Sequence, residues 1–160
     1  MERIRDGLIQ ADPADHDVYT ANAARYITQL NDLDAWIVEQ VSQVPPERRK
    51  LVTSHDTFGY FAERYGFEVI GALFPASGAE AQPSAQEIAS LTGAIQASGV
   101  KAIFTENTVD PKFAEQIARD AGVKVVTRLY TDSLGGPGSG AETYIDMMKF
   151  NVLAIVEALK

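Results

Sequence analysis

Four short apolar runs, each followed by a helix-like stretch and bounded by glycine or proline, constrain this 160-residue chain more than any other feature. Lys50–Ser54 (KLVTS) predicts a strand, Thr57–Tyr65 a short helix closed by Gly66, and Glu68–Leu73 (EVIGAL) a second strand. A polar loop over Pro75–Pro83 leads into a helix over Ala85–Ala97, with Ser84 as its cap, Glu87 at the capping-box position and Gly99 beyond its end. Lys101–Thr105 (KAIFT) is the third strand. The next helix opens at Pro111, takes Asp110 as its cap, runs to Ala121 and stops at Gly122. Val123–Leu129 is the fourth strand. A loop over Asp132–Gly140, with four glycines and a proline, precedes a last helix over Ala141–Leu159. Strand alternating with helix across short links is the pattern of right-handed βαβ units. The expected fold is α/β, a four-stranded, mainly parallel sheet with helices on both faces.

The first 44 residues stand outside that alternation. Ile4, Leu8 and Ile9 have helical spacing, and Ala-Asp-Pro ends the piece at Pro13. A long helix follows over about Asp15–Val41, with Asp15 as its cap and Pro45-Pro46 as its stop. Tyr19, Ala23, Tyr26, Leu30, Leu33 and Ile37 form one apolar stripe along it. At 1.5 Å per residue the helix is roughly 40 Å long, more than four short strands can cover, so part of the stripe should reach beyond the sheet domain. Three segments result: 1–12, the long helix 13–44, and the α/β domain 45–160.

Hydrophobic residues make up 46% of the chain, enough for a core, and the 14 basic residues are outnumbered by 22 acidic ones. A net charge of −8 argues against a nucleic-acid groove, which needs clustered Lys and Arg. With no cysteine, disulfides, thiolate metal sites and cysteine nucleophiles are excluded. No apolar run approaches the roughly 18 residues of a membrane span. Met1 is followed by Glu-Arg-Ile-Arg-Asp, which has none of the character of a signal peptide. That leaves a cytosolic protein or a piece of a longer one.

Open parallel sheets bind ligands outside the carboxyl ends of their strands. The first predicted strand is followed by Ser54-His55-Asp56, the third by Glu106-Asn107, the fourth by Tyr130-Thr131-Asp132-Ser133. The second leads to Phe74-Pro75, with Glu80 and Gln82 farther along its loop. One imidazole with one or two carboxylates suits zinc or manganese and lacks the all-oxygen cage of calcium. Each residue also has a structural role open to it. His55 could cap the helix starting at Thr57, Asp132 could fix its own turn, and Glu106 could pair with Lys101 or Arg128. His16 reads as solvated, and Tyr60 and Phe61 as core. The Gly135–Gly140 loop before a helix suggests a phosphate cradle and hence a nucleotide-binding or hydrolytic enzyme, but no Lys-Ser/Thr ending follows it and no G-x-S-x-G elbow exists.

Five stretches together resemble one family. They are SHDTFGYFAERYG (Ser54–Gly66), the loop Glu80–Ser84, KAIFTEN (Lys101–Asn107), YTDSLGGPG (Tyr130–Gly138) and ETYIDMMKFNV (Glu142–Val152). Their order and content resemble the zinc- and manganese-binding solute-binding proteins of ABC importers, over the C-terminal half of such a protein. The resemblance implies two lobes joined by a long helix, with the metal held between them and two ligands from each lobe. Residues 1–12 then correspond to the tail of the missing N-terminal lobe and residues 13–44 to the connector. His55 matches the third ligand and Asp132 the fourth. Glu106 matches a rim position that orients a ligand or binds as a further one. Histidine at 55 implies a three-histidine, one-aspartate site and hence Zn2+, with Mn2+ as the alternative. The intact protein is expected to be periplasmic or membrane-anchored outside the cell, to deliver metal to a permease, and to catalyse nothing. Without its partner lobe the chain is expected to expose apolar surface and to self-associate.

Overall fold

A computed structural model describes residues 1–74, 84–107 and 112–160, apart from the side chain of Arg128. The expected loop at Pro75–Pro83, with Glu80 and Gln82, and the expected cap Asp110 with Pro111, lie outside the described residues. Four strands are present: β1 (Lys50–Thr53), β2 (Glu68–Ala72), β3 (Ala102–Glu106) and β4 (Lys124–Leu129). The helices are α1 (Glu2–Ala11), α2 (His16–Ser42), α3 (Gly59–Tyr65), α4 (Ala85–Ser98), α5 (Lys112–Ala121) and α6 (Tyr144–Leu159). Every strand pair is parallel and the order is β2-β1-β3-β4.

The chain divides into two compact units, Met1–Val38 and Glu39–Lys160. In the first, Asp12 rather than Asp15 supplies the capping carboxylate. Its Oδ1 accepts the Ala14 N–H at 3.3 Å at the start of a single 3-10 turn over Pro13–Asp15, and its Oδ2 accepts the Tyr19 hydroxyl at 3.2 Å. The six stripe residues are the shielded face of α2, with Ala23, Leu33 and Ile37 buried and Tyr19, Tyr26 and Leu30 half-buried.

In the second unit, side-chain alternation along the strands decides which face each residue serves. Val52 of β1 and Ile103 of β3 join Ile95 of α4 and Ala114, Ile117 and Ala118 of α5 in one core. Their strand neighbours Leu51 and Phe104, equally buried, therefore point to the other face, and α6 packs on β3 and β4. Gly66, Gly99 and Gly122, with φ of 74°, 68° and 73°, end α3, α4 and α5 in the left-handed region that glycine enters without penalty.

The strand order creates a divide. From β1 the chain crosses outward to β2, then returns past β1 to β3 and on to β4. Crossovers therefore run in opposite directions from β1 and β3, which is the condition for a crevice at their carboxyl ends. These two strands share a single register pair, Thr53 with Phe104.

Two expectations fail here. Tyr60, expected in the core, is 90% exposed, because α3 begins at Gly59 and turns that position outward. His55 caps no helix, since the N-cap of α3 is Phe58 and makes no side-chain cap bond. Phe61 does pack inward, against Phe58, Tyr65 and Phe67.

Candidate functional site

His55 lies in the bend that follows β1, and its carbonyl is tied twice. The Thr53 hydroxyl donates to it at 2.9 Å and the Thr57 N–H at 3.0 Å. Beside it, the buried Ser54 hydroxyl accepts the Glu106 N–H at 3.4 Å, joining the ends of β1 and β3 across the crevice. Glu106 is thus the last residue of β3 rather than the first of a loop, and it is 1% exposed. Asp132 follows β4. Its loop is held to β3 by the Asn107 N–H donating to Leu129 O at 2.9 Å and by Asn107 Nδ2 donating to Ser133 Oγ at 3.2 Å.

The three side chains singled out from the sequence come together. His55 Nδ1 is 3.3 Å from Glu106 Oε2, and His55 Nε2 is 3.2 Å from Asp132 Oδ2. The imidazole stands between two carboxylates of opposite character, since the Glu106 side chain is 0% exposed and that of Asp132 is 62% exposed. This row does not make a three-donor cage, and none occurs among the described residues. The two carboxylates face opposite nitrogens of the ring, so a cation on either nitrogen has one of them beside it. The accessible pair is Nε2 with Asp132, leaving Nδ1 for Glu106.

The approach of Nδ1 to Glu106 lacks the alignment of a hydrogen bond, so both Glu106 oxygens are buried without a donor. The other buried side-chain oxygens without a partner among the described residues are Thr105 Oγ1 and Thr131 Oγ1. All four belong to the ends of β3 and β4. Buried polar atoms normally have partners, and a buried carboxylate is costly without a compensating charge. A cation held at His55, with the ring proton placed on Nδ1, would supply that compensation. Histidine nitrogen and carboxylate oxygen also fit the donor preferences of zinc and manganese.

His16 is exposed and contacts Asp17 at 2.9 Å. The glycine-rich loop is closed on itself. Glu142 Oε1 accepts the Gly138 N–H at 2.7 Å, Gly135 N–H donates to Ala141 O at 2.8 Å, and a Cβ at position 135 would overlap the Ser139 hydroxyl. Backbone N–H donation from Glu142 itself, then from Gly138 and Gly140, lowers the Glu142 pKa below its usual 4.5. A protein carboxylate therefore takes the place where a phosphate cradle would need its ligand, and the nucleotide-binding or hydrolytic reading has no support.

Two residues that order the loop after β4, Glu142 and Asn151, stand in the stretch Glu142–Val152 but were given no role by the sequence reading. Asn151 Oδ1 accepts the Tyr130 N–H at 2.9 Å, and Asn151 Nδ2 donates to Tyr130 O at 2.6 Å. The available signal was a single amide in the apolar run of the last helix.

The model of a family described as the periplasmic component A of the zinc-uptake complex matches residues 1–158. The manganese-binding lipoprotein MntA of Halalkalibacterium halodurans is 40% identical over 159 residues, 99% of this chain and 52% of that protein. The zinc-binding protein TroA of Treponema pallidum is 34% identical over 99% of this chain and 53% of its own length. The iron-binding protein YfeA of Yersinia pestis is also 34% identical, over 98% of this chain and 50% of its own. The solved structure of Treponema pallidum TroA superposes with a TM-score of 0.90 at 32% identity, covering 99% of this chain and 58% of that one. The chain thus spans about half the length of the curated relatives it matches.

Proposed function

The chain belongs to the family of periplasmic component A proteins of zinc-uptake complexes, substrate-binding proteins of ABC importers and not enzymes, and from that membership we propose that it is the metal-holding C-terminal lobe of such a protein. His55 Nε2 and Asp132 are the two donors it contributes. With metal on Nε2 the ring proton lies on Nδ1, and a small turn of the ring would bring that N–H into line with Glu106, which would then hold the tautomer that frees Nε2. The observation carrying this reading is the buried Glu106 carboxylate, without a donor, 3.3 Å from a ring whose far nitrogen faces Asp132 at 3.2 Å.

Residues 1–12 are assigned to the end of the partner lobe, 13–44 to the connector and 45–160 to this lobe. The absent half supplies the remaining two ligands, and the intact protein works outside the cytoplasmic membrane, handing its metal to a permease. Zn2+ is the first assignment because an imidazole and a carboxylate suit a tetrahedral zinc site, and Mn2+ is the alternative. Relatives whose names carry manganese, zinc and iron leave the cation to be decided by measurement.

The test is calorimetric titration of this chain with zinc and with manganese at neutral pH, repeated on His55→Ala and Asp132→Ala. Weak binding that each substitution strongly reduces is expected. Binding left at parental strength by both, or no binding at millimolar metal, would overturn the assignment.

A further inference from the structure

Asn151 is 3% exposed on the buried side of α6, among Met147, Val152, Ile155 and Val156. An amide in that setting must find partners for both ends of its dipole, and it finds both on one residue. Oδ1 takes the Tyr130 N–H and Nδ2 gives to the Tyr130 carbonyl, so the amide closes a ring with a single peptide segment. Tyr130 is the first residue beyond β4, and among the described residues β4 is an edge strand with β3 as its one neighbour in the sheet. The Asn151 amide therefore acts as one further rung of ladder on the open side of β4. It fixes the direction in which the chain leaves the sheet, two residues before Asp132. The Tyr130 ring reinforces this by meeting Phe150 edge-on at 5.2 Å.

We infer that Asn151 is a positioning residue for the metal site, acting through the Tyr130 backbone to hold the Asp132 carboxylate against His55 Nε2. The inference rests on the reading that Asp132 and His55 share a cation. A 62% exposed Asp132 side chain has little packing of its own to fix it, so its placement depends on the backbone that carries it.

The experiment is a zinc chloride titration of the 160-residue chain followed by NMR, on the parent, Asn151→Leu, Asp132→Ala and the double variant. Loss of outer-shell support typically weakens metal binding about 10- to 100-fold, and a loss of that order is expected for Asn151→Leu. In the Asp132→Ala background the same substitution should change residual affinity less than twofold, because the group it positions is gone. An equal loss in both backgrounds, or none in the parent, would show a role confined to packing and overturn the inference. Parental affinity in Asp132→Ala alone would instead defeat the reading of the site itself. Should Asn151→Leu fail to fold, Asn151→Asp keeps the acceptor for the Tyr130 N–H and sets a carboxylate against its carbonyl, and the same two-background comparison applies. In the unmodified chain, saturating zinc should slow exchange of the Tyr130 amide, and an unchanged rate would contradict the coupling.

Discussion

His55 has a carboxylate at each nitrogen, and the two carboxylates should answer differently to removal. On the proposed reading Asp132→Ala takes away a metal donor. Glu106→Gln keeps the volume of a buried side chain and removes its charge, so the fold is expected to hold and the metal-free chain to gain stability, since a buried carboxylate with no donor is costly. Zinc affinity should nevertheless fall about 10- to 100-fold, as read by competition with a chromophoric chelator, and an unchanged affinity would remove Glu106 from the site. All three residues were legible in the sequence because each closes or follows a strand at one rim. Their ranking was not. Whether Glu106 faces solvent or the interior depends on how β1 and β3 converge, a relation between residues 52 positions apart that no local pattern carries. Asn151 was hidden for the same reason, since its partner Tyr130 lies 21 residues away.

Local chemistry is most readable at the ends of elements. The capping box expected at Ser84 and Glu87 is present, with Ser84 Oγ accepting the Glu87 N–H at 3.3 Å and Glu87 Oε2 accepting the Ser84 N–H at 2.7 Å. Ser84→Ala should cost about 1 kcal/mol, seen as a melting temperature lower by roughly 2–4 °C. An unchanged midpoint would mean that α4 does not depend on its cap. Those same bonds to Ser84 lower the Glu87 pKa from 4.5. A depressed carboxyl pKa stabilises the fold fully above the ordinary value, and this contribution fades as pH falls through the lowered one. The stability gap between Glu87→Gln and the parent should therefore close on acidification below about 4.5. A gap constant from pH 7 to pH 3 would contradict the bond.

The glycine loop makes a parallel case. Gly135→Ala should lower both melting temperature and zinc affinity, because a Cβ there collides with Ser139 in the loop that follows Asp132. Affinity untouched by that substitution would separate the loop from the site. The start of α3 was misjudged because the chain bends over Ser54–Asp56 and the Thr57 N–H is spent on the His55 carbonyl, so that the helix begins at Gly59 and leaves Tyr60 outside.

For the whole molecule, the order β2-β1-β3-β4 does what no single residue does. It opens a crevice between the carboxyl ends of β1 and β3 and brings His55 and Glu106 to its two sides, with the Asp132 loop after β4 beside them. The alternation of strands and helices foretold the sheet, and the chain spans about half its relatives' length. On the proposed reading this lobe offers two of four ligands, so joining it to the N-terminal half of a relative should raise zinc affinity by orders of magnitude. The most direct measurement is anomalous diffraction at the zinc edge from crystals of this chain grown with zinc. An anomalous peak within bonding distance of both His55 Nε2 and an Asp132 carboxylate oxygen, with Nδ1 turned to Glu106, is the expected result. Zinc bound only elsewhere, or a peak at Nδ1 and Glu106 that leaves Asp132 free, would contradict the assignment.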